Sequence, residues 1–395
     1  MSSKNLSYID DVMDRSLREH VMKGMVTLVA RHGKIVQHRA YGEAREGVPM
    51  RTDAIFRLAS MSKTVGAAAL MQLFDRGLVM PTDRLSDYIP AFADPKVAVP
   101  YENGTVSLVP ARREITLHDL LTMTSGITAV KSRMGYHPAA LYCAASYQEA
   151  GIIDTMIPQD TSLEEICSKL AGLPLAAHPG ERWDYTNLSS LLLGRVVEIV
   201  SGKDLKTYLR EQILDPLGMH ETAFFPDRKL WDRVPAVYAC GSLERLDGLD
   251  LPGTDDTRLP FTDHKGYYNI AAGLTGTAYD YFRFAQMLCN EGELDGHRIL
   301  SPNAVRLMRQ PHTRGIGVSM YGHSWGYMMD VQAEFNTTFN YMGMGSYGWH
   351  GYWGSVYNVW PEQDLVAIFL SQVSPVDLSW KTQERFLNVV AGAVR

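Results

Sequence analysis

Cysteine is scarce in this chain. The four present in 395 residues, Cys143, Cys167, Cys240 and Cys289, lie far apart and fit neither a metal-ligand spacing nor a small disulfide framework. Free thiols in a reducing compartment are the simplest account. Excess basic charge is missing too. The net charge is −6 with Lys and Arg scattered, so no basic stripe exists to follow a phosphate backbone, and nucleic acid is not an expected partner. No apolar run approaches membrane-spanning length. Met1-Ser2-Ser3-Lys4-Asn5 leads into a mixed helical pattern from Ile9 to Met22 without the apolar core of a signal peptide. A soluble, cytoplasmic protein with no membrane partner is therefore expected. No H-E-x-x-H motif or clustered His and Asp set argues for a metal, and no cofactor is expected. The G-x-S-x-G elbow of the α/β-hydrolases is absent, as are internal repeats and low-complexity segments.

What is present is the composition of an ordinary globular protein, 46% hydrophobic and 21% charged. The length allows one large domain with an insertion, or two domains, with a full core. Met25 to Arg31 and Ile35 to Tyr41 flank His32-Gly33-Lys34 and predict a β-hairpin. Gly354 to Trp360 and Leu365 to Ser371 flank Pro361-Glu362-Gln363-Asp364 and predict a second, followed by a helix from about Leu378 to Val394. Strands at both ends with helices between predict an α/β (α+β) fold: one antiparallel sheet built from the two termini and flanked by helices. Helical spacing marks Leu117 to Thr122, Ser162 to Leu170, Leu188 to Ser201, Leu205 to Leu214 and Tyr279 to Asn290, the last capped by Thr277-Ala278-Tyr279-Asp280. Pro95 to Arg113 and Thr128 to Asp160 are long, turn-rich and partly aromatic, candidates to wall a substrate pocket.

Ser60-Met61-Ser62-Lys63 is the one place where a lysine follows a serine by three residues. On a helix that spacing puts hydroxyl and amine on one face. A serine hydroxyl needs a base to take its proton, and a lysine serves once its pKa is lowered. The Ala- and Leu-rich run Val65 to Leu73 reads as a buried helix with Ser60 at its start. There the helix dipole disfavours a nearby ammonium and favours an oxyanion. Ser62, a step of about 100° further round, diverges from Lys63, so Ser60 is the expected nucleophile and Lys63 its activator.

A third, proton-relaying group is commonly a tyrosine. Tyr-x-Asn occurs at Tyr101-Glu102-Asn103, Tyr185-Thr186-Asn187 and Tyr267-Tyr268-Asn269. Only Tyr185 stands where a tight turn, His178 to Asp184, meets an apolar helix; the other two read as solvent-facing or core-edge tyrosines in loops. A tetrahedral intermediate also needs two donors. The Ser60 N–H is one candidate, and the glycine-rich stretch Gly348-Trp349-His350-Gly351-Tyr352-Trp353-Gly354 allows the close approach that would supply the other. His350, between tryptophans, reads as a packed or substrate-contacting residue and not as the base of a Ser-His-Asp triad.

In order, Ser60 to Lys63, Tyr185 to Asn187 and the strand around His350 resemble the motifs of the penicillin-recognising serine hydrolases, in the branch of class C β-lactamases, D,D-peptidases and family VIII carboxylesterases. Ile115 to Gly126, Pro179 to Asn187, Pro216-Leu217-Gly218-Met219 and Gly273 through Met287 are similar as well. The resemblance implies a β-lactamase/transpeptidase-like fold, with an α/β domain from residues 1–80 and 225–395 and an inserted, mainly helical domain over 81–224. It implies Ser60 as acylated nucleophile, Lys63 as base, Tyr185 as proton shuttle, and Asn187 as the residue orienting a substrate carbonyl or the lysine. Where β-lactamases of this type keep Lys-Thr-Gly, this chain has Trp349-His350-Gly351, similar to the esterase versions. That exchange removes a cation that would meet the carboxylate of a β-lactam and favours esters. On this alignment the second oxyanion donor is the N–H of Tyr352, or of Trp353 if the register slips by one. Trp325, Trp349, Tyr352 and Trp353 are candidates for an apolar acyl or alcohol pocket, with most of them equally readable as core.

The expected activity is a serine carboxylesterase acting on short-chain or compact esters through an acyl-enzyme, its partner a small-molecule ester. Acyl transfer to an alcohol or amine, weak β-lactamase or D,D-peptidase action, and a non-catalytic ligand-binding relative are the alternatives. Oligomeric state is left open.

Overall fold

The structure is a computed structural model that describes residues 1–129, 137–152, 161–244, 266–316, 318, 323–333, 343–374 and 379–395. Its centre is an eight-stranded antiparallel sheet. In chain order the strands are β1 (Gly24–Arg31), β2 (Lys34–Arg45), β3 (Val48–Pro49), β4 (His323–Trp325), β5 (Asp330–Gln332), β6 (Tyr347–Gly351), β7 (Ser355–Trp360) and β8 (Leu365–Ser371). In space the order is β4-β5-β6-β7-β8-β1-β2-β3. The chain ends meet where β1 pairs with β8, Met25 opposite Ser371 through Arg31 opposite Leu365. Both expected hairpins are present. His32 and Gly33 take φ of +52° and +68°, the two left-handed positions a tight turn needs to match the twist of its strands.

The helices are α1 (Ser3–Arg18), α2 (Ser62–Asp75), α3 (Leu117–Leu121), α4 (Pro138–Glu149), α5 (Leu163–Leu170), α6 (Asn187–Ser201), α7 (Leu205–Leu209), α8 (Ala278–Cys289), α9 (Pro302–Met308) and α10 (Trp380–Gly392) among the described residues. Thr277 caps α8 as its sequence indicates, accepting from the Asp280 N–H. Alternation along β1 and β8 divides the core in two. Met25, Val29, Ala367 and Phe369 bury against α1 and α10 through Ile9, Met13, Phe386 and Val390. Val26, Leu28, Ile368 and Leu370 face the opposite layer, where α8 lies on the sheet and α2 packs against α6.

Several expectations shift. Helix α1 starts at Ser3, earlier than its apolar spacing indicates, because the Ser2 hydroxyl accepts from the Asn5 N–H. The helix expected over Leu205 to Leu214 changes at Arg210 to a wider π turn. Within Pro95 to Arg113 the chain forms a hairpin, Lys96–Pro100 paired with Val106–Pro110, whose terminal prolines disguise it as loop. Of the stretch from Thr128 to Asp160, residues 130–136 and 153–160 lie outside the described residues, and α4 occupies much of the rest. The C-terminal helix begins at Trp380, and Leu378, its expected start, also lies outside them.

Candidate active site

Ser60 does not open α2. It sits on a 3-10 turn, Ala59–Met61, with α2 beginning at Ser62. Ala59 is fully enclosed and holds φ of +48°, a conformation costly to a residue with a Cβ. Its neighbours impose it: the Leu58 N–H donates to Leu274 O at 2.9 Å, and Tyr281 Oη donates to Met61 O at 2.9 Å. The Ser60 side chain is left partly exposed. Ser62 is wholly buried and its Oγ accepts from the Leu274 N–H at 3.1 Å, which removes it from any reactive face.

Lys63 is 1% exposed. Its Nζ lies 3.1 Å from Ser60 Oγ, 2.6 Å from Asn187 Oδ1 and 2.8 Å from Ala271 O. Burial holds its pKa well below the ordinary lysine range. In its neutral form the amine keeps two N–H groups and one lone pair. Ala271 O and Asn187 Oδ1 can only accept, so they take its two N–H groups and leave the lone pair for the Ser60 hydroxyl. That is the arrangement of a general base beside a nucleophile.

Asn187 is the first residue of α6, directly after the cap Thr186, whose Oγ1 accepts from the Leu188 N–H and donates to Thr128 O. Tyr185 precedes the cap, where the chain turns into the helix. Its approach is fixed upstream by the Asp184 N–H donating to Met123 O and the Gly180 N–H donating to Thr124 O. Lys63 Nζ stands 4.8 Å from the centre of the Tyr185 ring. An indole nitrogen can only donate, so the 3.0 Å contact from Trp349 Nε1 makes Tyr185 Oη the acceptor.

Strand β6 brings the third motif alongside. A Cβ on Gly351 would lie 2.6 Å from Leu58 O, so only glycine lets the strand end approach the turn that carries Ser60. Tyr352 and Trp353 follow, both partly exposed, in the turn closed by the Gly354 N–H donating to Gly351 O. Their rings meet edge-on at 4.9 Å.

Two expected substrate contacts need correction. Alternation along β6 turns His350 away from Trp349, and its Nδ1 lies 3.0 Å from Gln383 Oε1 on α10. Burial pushes its pKa down against that hydrogen bond, so it is a packed histidine outside the site. Trp349 is 7% exposed and its one polar atom is engaged by Tyr185. Trp325, fully buried, meets Trp349 edge-on at 4.4 Å and Trp183 at 5.5 Å, so these indoles wall the tyrosine as core. Sequence reasoning missed Ala271 altogether. A main-chain carbonyl carries no residue-type signal, and the one pointer was the third Tyr-x-Asn tripeptide just before it.

No cluster of three or more His, Cys, Asp or Glu side chains that could hold a metal occurs among the described residues. No helix among them is long and apolar enough to cross a membrane.

The family model described as Beta-lactamase matches residues 9–390. Protein Rv1367c of Mycobacterium tuberculosis is 31% identical over 388 residues, covering 95% of this chain and 90% of that protein. Esterase EstB of Burkholderia gladioli is 33% identical over 333 residues, covering 81% and 77%. Among solved structures, EstCE1, described as a hydrolase with promiscuous acyltransferase activity, superposes with a TM-score of 0.81 over 98% of this chain and 99% of its own, at 24% identity, a likeness of fold. With the fold, the family model and full-length relatives in agreement, this chain belongs to the Beta-lactamase family, within the serine β-lactamase and penicillin-binding-protein superfamily that includes esterases, and is a serine hydrolase.

Proposed function

We propose that the protein is a carboxylesterase that cleaves compact esters through an acyl-enzyme on Ser60. The observation that carries this reading is the buried Lys63 amine, whose Nζ lies 3.1 Å from Ser60 Oγ and is otherwise held by Asn187 Oδ1 and Ala271 O. In acylation, Ser60 Oγ attacks the ester carbonyl as its proton passes to Lys63. The oxyanion is received by the N–H groups of Ser60 and Tyr352. Collapse of the tetrahedral adduct breaks the bond to the alcohol oxygen. That oxygen takes a proton through Tyr185, which is resupplied from Lys63. Water then attacks the acyl carbonyl, losing one proton to the same relay; collapse of the adduct breaks the bond to Ser60 Oγ, which takes that proton back as the carboxylic acid leaves.

The case for esters over β-lactams rests on the third motif. Trp349 stands where the Lys-Thr-Gly lysine would be, and its N–H is directed at Tyr185, so that position offers no cation to a substrate carboxylate. Asn187, Gly351 and Trp353 remain the candidate substrate contacts. The similarity to an esterase supports the same choice. A reducing compartment such as the cytoplasm fits the four cysteines, none of which forms a disulfide.

p-Nitrophenyl acetate and butyrate are the test substrates. A burst of one p-nitrophenol per chain followed by steady turnover is expected, and the absence of any turnover would count against the reading. Trp349→Phe removes the donor to Tyr185 and should lower kcat about 10-fold, the worth of one hydrogen bond of about 1.4 kcal/mol. An unchanged kcat would mean that the indole does not hold Tyr185 for the reaction.

Acyl transfer to an alcohol or amine is the second reading, supported by the description of EstCE1 and by the partly exposed setting of Ser60 and Tyr185. It is discarded if transfer product never exceeds hydrolysis at any concentration of added alcohol.

A further inference from the structure

Three features converge on the loop from Tyr267 to Leu274. First, its Ala271 carbonyl accepts from Lys63 Nζ at 2.8 Å, a contact buried on both sides. Second, the loop has a built-in brace. Asn269 is 5% exposed, and its Oδ1 accepts from the Ala271 N–H at 3.0 Å and the Ala272 N–H at 3.2 Å, while its main-chain O accepts from the Gly273 N–H at 2.6 Å. Such an Asx turn fixes the peptide planes that follow it, and here the plane in question carries the Ala271 carbonyl. Third, the loop is keyed to the helices bearing the other groups. A Cβ on Gly66 of α2 would collide with Ile270 Cγ1, and one on Gly194 of α6 would lie 3.2 Å from Ile270 Cγ2. The isoleucine therefore wedges between the helix that carries Lys63 and the helix that carries Asn187. Beyond it, the Leu274 N–H donates to Ser62 Oγ and Leu274 O accepts from the Leu58 N–H, on either side of Ser60.

We propose that Asn269 is a positioning residue for Lys63: by holding the Ala271 carbonyl on the amine, it fixes the direction of the lone pair toward Ser60 Oγ and keeps the amine desolvated. Asn269 acts on the amine through the Ala271 peptide, since its Oδ1 accepts from the Ala271 N–H and the Ala272 N–H on either side of that carbonyl. The inference rests on the reading of Lys63 as the base. Without the side-chain brace the peptide can rotate, water replaces the carbonyl, and the lysine returns toward its ordinary, charged state. A displacement of the base by about 1 Å is enough to cost on the order of 100-fold in rate.

The test measures kcat, KM and the pH profile of kcat/KM for p-nitrophenyl butyrate in Asn269→Ala and Asn269→Asp, with Ser60→Ala and Lys63→Met alongside. Asn269→Ala should lower kcat about 10- to 100-fold with KM changed less than about 3-fold, and should move the acidic limb of the profile to higher pH. Asn269→Asp keeps an oxygen for both N–H groups. It should recover most of the plateau kcat, yet its added negative charge moves the same limb upward. Wild-type kcat and limb in Asn269→Ala would overturn the proposal. So would a loss of kcat with an unmoved limb and no recovery in Asn269→Asp, which is the pattern of a merely structural residue. If Asn269→Ala does not fold, Asn269→Asp decides alone through its plateau kcat: a plateau within about 3-fold of wild type supports the proposal, and a loss of about 10-fold or more with both N–H acceptors still present overturns it. Wild-type turnover in Ser60→Ala or Lys63→Met would instead remove the underlying reading of the site, whatever the Asn269 variants do.

Discussion

Ser60→Ala should reduce turnover of p-nitrophenyl butyrate by on the order of 10⁴-fold or more and abolish the burst, because the proposed acylation needs an oxygen at that position and the rival Ser62 hydroxyl is buried against the Leu274 N–H. The loss should come without a loss of fold. The Ser60 hydroxyl is partly exposed and gives up a single contact to Lys63, whereas the strained Ala59 and the bonds at Leu58 and Met61 that set the turn are main-chain features the substitution leaves in place. Ser62→Ala is the informative counterpart. Its hydroxyl accepts from the buried Leu274 N–H, so its removal should lower stability by about 1–3 kcal/mol and leave the burst intact. Reversed results, with the burst lost in Ser62→Ala and kept in Ser60→Ala, would mean that the wrong serine has been assigned.

Lys63→Met should be nearly as damaging, lowering kcat/KM by on the order of 10³-fold, within the range for loss of a positioned base. The stronger evidence is the pH dependence. On the proposed mechanism the reactive form is the neutral amine, and burial holds the Lys63 pKa well below that of an ordinary lysine. Wild-type kcat/KM should therefore be high above that lowered pKa and fall tenfold per pH unit as pH drops through it. In Lys63→Met the residual rate should lose this limb. Lys63→Arg places a permanent positive charge at the position and cannot serve as a base, so it should remain as inactive as the methionine variant. A rescue by arginine would show that charge, and not proton abstraction, is what position 63 contributes.

Much of this architecture is legible in the sequence, for identifiable reasons. The hairpin at His32-Gly33 and the strands on either side of Pro361 to Asp364 announce themselves by apolar runs bounded by turn residues. The Ser60 and Lys63 pair is visible because one helical turn separates two chemically distinctive side chains. Tyr185 is distinguishable from Tyr101 and Tyr267 because only it follows a Pro-Gly turn and precedes an apolar helix.

What stayed hidden depends on long-range contacts. Strands β4 and β5 have three residues each, too few to show a period of two, and they form by pairing, β5 beside β6 and β4 beside β5. The face on which His350 lies becomes readable only once Trp349 is known to point at Tyr185 across 164 residues. The exact seat of Ser60, on a 3-10 turn and not on the first turn of α2, follows from the bond between Leu58 and Leu274. The Ala271 carbonyl, which completes the surroundings of Lys63, belongs to the backbone and could be of any residue type.

The central claim is that a neutral Lys63 makes Ser60 a nucleophile. Its most direct test is intact-protein and peptide mass spectrometry after exposure to a serine-reactive p-nitrophenyl phosphonate. One adduct per chain should form, mapped to Ser60, absent in Ser60→Ala and formed about 10³-fold more slowly in Lys63→Met. No adduct, an adduct on Ser62 or elsewhere, or labelling of Ser60 at an undiminished rate without Lys63 would contradict it.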